Sequence, residues 1–275
     1  MTLRILYLLI VAFLLLFKTT SMKAQFSIAI GPGLTSYSGD ISGPNLKYVR
    51  PAGNFELWYQ FNPYLYVNFG TSIYRLYGED INPIRNRAFR ANHFELYTGL
   101  ILASSASNKI MPFLTAGIGI TKVDPEHKVP LIGSDGYWWL NSSKWLPDGQ
   151  PIPSPGIIFP LGAGFRIKVS KKISIVVDGA LRYTNNDMID GVSASEIYIA
   201  EINEVGKKYF ETIRPEGIDE DKIGNGNPDA NDVYGIFSIK VQFFIGSPII
   251  KNKTFRFNGL KRGKLLCPAV IPDSR

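Results

Sequence analysis

The sequence is poor in the residues that metal sites and disulfide frameworks require. Among its 275 residues there is one cysteine, Cys267, and there are two histidines, His93 and His127. A single thiol closes no internal disulfide, and without a CxxC pair or a His/Cys cluster a structural zinc ion lacks ligands. Charged residues are scarce at 19%, while the hydrophobic share of 45% is too high for a disordered chain. Long apolar runs are missing after the N-terminus. No later stretch approaches the roughly 18 residues that cross a bilayer as a helix, which excludes a helical transporter. Helical periodicity itself is nearly absent beyond residue 25.

The one apolar run is short. Arg4 precedes the uninterrupted apolar residues 5–17, followed by a polar stretch ending in Ala24-Gln25. This is the layout of a secretory signal peptide cleaved after a small residue. An uncleaved anchor helix is the competing reading, and the run is short for it. Residues 1–24 are therefore expected to be a signal peptide, and the mature chain to begin at Gln25.

Beyond that point the chain alternates with period two. Eight stretches fit strands: 26–36, 53–62, 64–77, 89–103, 111–122, 157–169, 173–184 and 233–246. Phe55, Leu57 and Tyr59 alternate with Glu56 and Trp58, and Phe237, Ile239 and Val241 with Ser238 and Lys240. Alternation alone fits a soluble β-sandwich as well as a membrane barrel. Connection lengths separate the two, because outer-membrane barrels pair short periplasmic turns with long external loops. Here the connections 63, 104–110 and 170–172 are short and 37–52, 78–88, 123–156 and 185–232 are long, in strict alternation. Together with aromatics at Trp58, Tyr64, Tyr66, Tyr74, Tyr77, Tyr183 and Tyr234 that suit an interfacial girdle, this predicts an all-β, eight-stranded antiparallel transmembrane barrel over residues 25–246.

Eight strands enclose an interior that side chains just fill, so no wide pore is expected. On the inferred lumen face lie Glu56, Glu95, His93 and Asp178 against Arg166, Lys168, Arg182 and Lys240. Buried charges demand pairing, so Glu56, Glu95, Arg166, Asp178, Arg182 and Lys240 read as an internal charge network and not as a proton path. A lipid hydrolase needs a Ser with a His held by a carboxylate on the lipid-facing side. His93 and Glu95 share the wrong face, no GxSxG elbow occurs, and His127 reads as a solvated loop residue beside Glu126. The stretch Asp219, Asp221, Asn225, Asn227, Asp229 lacks the spacing and closing Glu of a calcium loop. Neither an enzyme, a cofactor, a metal nor a small-molecule substrate is expected.

Charge is unevenly distributed. The formal net charge is +7, three units of it from Arg4, Lys18 and Lys23; residues 185–232 carry 12 acidic and 4 basic residues, and residues 247–275 carry seven basic and one acidic. An exported chain with no nucleic-acid motif does not read as a nucleic-acid binder. An even strand count puts both ends of the barrel in the periplasm, so the basic tail 247–275 is expected there. Phe255, Arg256, Phe257, Lys261, Arg262, Lys264, Leu265, Leu266 and Cys267 mix apolar with basic side chains, as a segment ordering on a partner does. An unpaired thiol in an oxidising compartment fits an interface or an intermolecular disulfide.

Several segments in order carry a resemblance. Gly31-Pro32-Gly33 running on to Tyr37-Ser38-Gly39-Asp40 comes first, then Arg50-Pro51 with Asn62-Pro63, Arg87-Ala88-Phe89-Arg90 with Phe94-Glu95-Leu96, and Pro112-Phe113 with Gly117 and Gly119. Pro160 with Gly162 and Gly164, Arg182-Tyr183-Thr184 with Asp187 and Asp190, and Asp229 with Asn231-Asp232 and Tyr234 follow. In this order they resemble the PorG-like outer-membrane barrels of the Bacteroidetes type IX secretion system. The resemblance implies a non-enzymatic outer-membrane component associated with a periplasmic ring lipoprotein and further secretion-system subunits, in machinery that also serves gliding motility in some relatives. Related barrels of other role share these motifs.

Overall fold

The computed structural model describes residues 25–80, 87–104, 108–130, 136–142, 151–194, 196–198, 222–224 and 226–245. All eight expected strands are present: β1 (Gln25–Ser38), β2 (Arg50–Gln60), β3 (Leu65–Glu79), β4 (Ala88–Ala103), β5 (Ile110–Thr121), β8 (Gly156–Lys168), β9 (Ile173–Thr184) and β12 (Val233–Ile245). The intervening numbers belong to short strands that the alternation did not reveal. β6 (Pro125–Pro130) and β7 (Tyr137–Asn141) form a hairpin inside the third long loop, β10 (Glu196–Tyr198) pairs with β11 (Lys222–Gly224) inside the fourth, and a 3₁₀ turn, Leu46–Tyr48, lies in the first.

The eight long strands pair antiparallel with their chain neighbours, and the ring closes through β1 against β12, from Phe26 opposite Ile245 to Ser38 opposite Val233. A closed ring leaves no unpaired barrel edge, the condition for β-structure inside a bilayer. The β6–β7 hairpin continues the sheet beyond the rim by pairing β6 with the start of β4, His127 opposite Phe89.

Polarity runs inside out. Asn54, Glu56, Trp58 and Gln60 of β2 are buried in the lumen, whereas Ile73, Leu100, Leu161 and Ile239 stand exposed on the outside with many other large apolar side chains. A soluble sandwich puts its apolar faces in the core; an all-round apolar exterior far exceeds the patches soluble proteins expose. The alternation that left two architectures open therefore resolves to a membrane-spanning barrel.

The expected girdle divides. Tyr64 and Tyr183 are exposed and Tyr77 is half-buried on the outside, but Trp58, Tyr66, Tyr74 and Tyr234 are buried in the lumen. The reason is parity: Trp58 stands two residues from Glu56, and Tyr234 six from Lys240, so each shares the face of the charges.

Candidate functional site

The barrel interior is filled in three layers. Toward the short turns, Trp58, Tyr66, Ile101, Met111, Phe113 and Val176 form an apolar plug. Toward the long loops, Tyr37, Tyr74, Leu76, Phe89, Ile158 and Tyr234 belong to a second one. Between them lie the charges, excluded from water on both sides.

Lys240 is the centre of this middle layer. Its Nζ donates to Glu56 Oε1 at 2.6 Å and lies 3.0 Å from the Asp178 carboxylate. Glu56 also accepts from Trp58 Nε1 at 2.5 Å and from the Tyr97 hydroxyl at 2.6 Å, and Asp178 accepts from Ser238 Oγ at 2.7 Å. A second group sits one step nearer the long loops. Arg182 Nη2 donates to Glu95 Oε1 at 3.0 Å, and the Tyr234 hydroxyl donates to Glu95 Oε2 at 2.7 Å. Tyr97 links the two, with its hydroxyl on Glu56 and its ring 5.8 Å from the Arg182 guanidinium. Every carboxylate thus accepts from at least two donors, which is what makes burial of an ion pair tolerable.

Glycine makes the room. A Cβ on Gly70 would lie 2.2 Å from Tyr97 Cζ, and one on Gly164 would lie 2.6 Å from the Asp178 Cβ. The space left around Glu56, Tyr97, Asp178 and Arg182 is about 20 Å³, the room of a single water.

Two sequence-based expectations need correction. Arg166 points into the lumen but has no carboxylate within ion-pairing distance among the described residues; its guanidinium lies over the rings of Tyr66 and Phe244 at 5.5 and 5.3 Å. The cause is height. Gly164, not Arg166, is the β8 residue opposite Asp178, so Arg166 falls one side-chain step toward the short turns, beside the apolar plug. His127 is not a solvated loop residue: it is buried in β6, with Nε2 2.5 Å from the Asp190 carbonyl oxygen. His93 lies as expected on the lumen face beside Tyr74, buried away from lipid.

At the long-loop end, residues 186–192 fold inward and cap the barrel, all of them buried. Asp232, the residue before β12, accepts from the Tyr37 hydroxyl at 2.5 Å and from the Ile189 N–H at 2.8 Å. Asp190 accepts from the N–H groups of Ile41 and Val192 at 3.0 and 2.9 Å. Burial, with the nearby Asp40 carboxylate, pushes Asp190 up to about 7, and burial beside Asp190 raises Asp232 as well. Burial holds His127 near 4, neutral at physiological pH.

The tail residues 255–257 and 261–267, the signal segment 1–24, and Asp219, Asp221 and Asn225 lie outside the described residues. Asn227 and Asp229 form a turn, Asn227 Oδ1 accepting from the Asp229 N–H at 3.2 Å, and among the described residues no group of acidic, His or Cys side chains is placed to hold a metal ion.

A closed ring, an apolar exterior and a sealed polar lumen define the class: a membrane-spanning β-barrel of the outer-membrane kind. No family model and no curated protein matches the sequence. Among solved structures the chain is similar to Neisserial surface protein A, at 12% identity over 79% of this chain and 96% of that one, with a TM-score of 0.40. It is similar also to Ail, the attachment invasion locus protein of Yersinia pestis, at 13% identity over 82% and 100% with a TM-score of 0.40. A major outer membrane protein from Thermus thermophilus matches at 10% identity over 81% and 99%, again with a TM-score of 0.40. The class stands on the strand pairing and the polarity of this chain, independently of these neighbours.

Proposed function

We propose that this chain is a non-enzymatic outer-membrane anchor of the type IX secretion and gliding machinery, holding its periplasmic ring through the basic tail 247–275. In this reading the barrel sits in the outer membrane, the short turns and the tail face the periplasm, and the long loops face outward. The observation that carries the anchoring role is the sealed lumen. With about 20 Å³ left around the central charges and an apolar plug on either side of them, the described lumen offers no solute path, and its interior serves stability. The assignment to this machinery is supported by the ordered motifs from Gly31 to Tyr234 that resemble PorG-like barrels. Attachment through Phe255, Phe257, Leu265, Leu266 and the surrounding basic residues is supported by their mixed composition.

Burial of His93 in the lumen argues against a lipid hydrolase built on it, since lipid does not reach that face. Deleting residues 259–275 should leave the barrel inserted, detach the ring lipoprotein on affinity purification, and impair secretion. Unchanged co-purification with normal secretion overturns the reading, and points to a freestanding structural barrel.

A further inference from the structure

Among the described residues the outer surface carries, on one side, a band that the sealed lumen leaves unused. Four aromatic rings run in a row along the long-loop rim. Tyr48 of the 3₁₀ turn lies 5.7 Å from Tyr77 of β3, Tyr77 lies 6.3 Å from Trp139 of β7, and Trp139 lies 6.2 Å from Tyr137. Each ring has a cation over it: Lys47 at 5.3 Å, Arg50 at 4.2 Å, Arg90 at 4.6 Å and Lys128 at 4.6 Å, in that order.

Charge does not balance along this band. Lys47 pairs with Glu79 at 3.0 Å and Arg90 with Glu126 at 2.7 Å. Arg50, Lys128 and the exposed Arg75 have no carboxylate within 4 Å among the described residues. The band also has a sharp lower edge. Ile73 stands opposite Phe94, the next outward pair is Arg75 opposite Asn92, and the next is Tyr77 opposite Arg90. Exposed apolar side chains thus give way to a cation within one side-chain step, about 7 Å, and to a ring with a second cation at the next. That step marks the border between hydrocarbon and headgroups, because an arginine deeper in the belt costs several kcal/mol. A girdle that merely marks this border would be uniform around the barrel. Across the ring, the outward positions at the same rim are Ile157, Tyr183 and Val233, none of them cationic.

We propose that this band binds the phosphorylated headgroup of a membrane glycolipid. The surplus cations take phosphate, the rings stack on sugar, and the apolar pairs below receive the acyl chains. An acidic peptide uses the first feature but neither of the others. The inference rests on the reading that the long loops face outward, where such lipids reside; surface protease accessibility of those loops on cells tests that reading by itself.

The test uses the purified barrel in detergent, where orientation plays no part, with native mass spectrometry counting bound lipid. Wild-type protein should retain bis-phosphorylated lipid A, and should bind the dephosphorylated form far less. The variant Arg50→Gln/Arg75→Gln/Lys128→Gln should weaken binding by about a hundredfold, at about a fivefold loss per cation near an anionic headgroup. Heat-modifiable migration on gels verifies that it is folded, and Arg75→Gln alone, or the comparison of the two lipid forms on wild-type protein, serves if it is not. Equal binding of both lipid forms, retention by the triple variant, equal retention of phosphatidylglycerol, or displacement by millimolar inorganic phosphate overturns the proposal.

Discussion

Replacing Lys240 with Met tests whether the lumen charges form one cooperative unit. Lys240 Nζ is the cation between Glu56 at 2.6 Å and Asp178 at 3.0 Å, with its side chain about 1% exposed. Met fills much the same volume, so the change removes charge more than packing. It leaves two carboxyls facing one another in a space too small for more than about one water. Removing one partner of a buried ion pair costs about 3–5 kcal/mol, most of it the penalty of the uncompensated charge left behind. That penalty should be relieved in part when a carboxylate is removed as well. Lys240→Met/Glu56→Gln should therefore be more stable than the sum of the single changes implies, with a coupling of about 1–3 kcal/mol. Urea titration of the barrel refolded in phosphatidylcholine vesicles, followed by tryptophan fluorescence and by heat-modifiable migration, measures each stability. A Lys240→Met penalty below about 1 kcal/mol, or additivity of the two changes within about 0.5 kcal/mol, refutes the account of a coupled network.

Gly70→Ala should destabilise the barrel by about 1–3 kcal/mol, because its Cβ would meet the Tyr97 ring at 2.2 Å and the rigid ring has to move off Glu56; the same urea titration reads it, and Gly70→Ala/Tyr97→Leu should recover part of the loss. The cap should respond to pH through Asp190. Its folded-state value of about 7 lies above the unfolded carboxylate value near 4, so the native state holds a proton that the unfolded chain has lost, and this contribution is lost as pH rises from about 4 to about 7. His127, held near 4 from an unfolded value near 6.5, contributes with the opposite sign over much of the same window. The clean readout is therefore a difference: hydrogen exchange of the amides in 186–192 should shift in favour of Asp190→Asn, relative to the native chain, as pH rises from about 4 to about 7, and a difference that does not vary with pH contradicts the assignment.

The strands were legible because each long strand separates an apolar outer face from a polar or small inner one over 11 residues or more. Within that frame the inward positions of Glu56, Glu95, Asp178, Arg182 and Lys240 followed from parity alone. Their pairing did not. Which cation meets which carboxylate depends on strand stagger around a closed ring, and Arg166 shows the consequence: right face, wrong height. Tyr97, Trp58 and Tyr234, which supply three of the five hydrogen bonds to Glu56 and Glu95, were missed as network members: Trp58 and Tyr234 fit a girdle equally well, and Tyr97 was given no role. Their parity with the charges was the available signal. The β6–β7 hairpin was hidden for a different reason. Its β6 segment, Pro125–Pro130, has a buried His127 where an apolar residue would mark an inner face, and prolines at both ends. The cap was hidden inside the most acidic stretch of the chain, where Met188, Ile189 and Val192 are buried among aspartates whose carboxyl oxygens accept from backbone N–H groups.

Sealing the lumen has a consequence for where association can occur. Among the described residues the two apolar plugs and the charged layer between them leave about one water's room around the charges, so a binding partner meets this protein at its ends or on its flank. The flank is not uniform. Surplus cations and a row of tilted and edge-on rings occupy the side formed by β3, β4 and the β6–β7 hairpin, while the fourth long loop is acidic by a margin of eight residues. Interior and exterior variants should therefore separate. Lys240→Met and Gly70→Ala, whose side chains touch only other lumen groups, should change stability and leave lipid retention per folded molecule unaltered. Arg75→Gln, on a side chain that faces outward, should do the reverse. A lumen change that alters lipid retention at equal folded population requires coupling across the sheet. The barrel offers little for such coupling, since its wall is one closed layer of paired backbone with its two faces set by strict alternation.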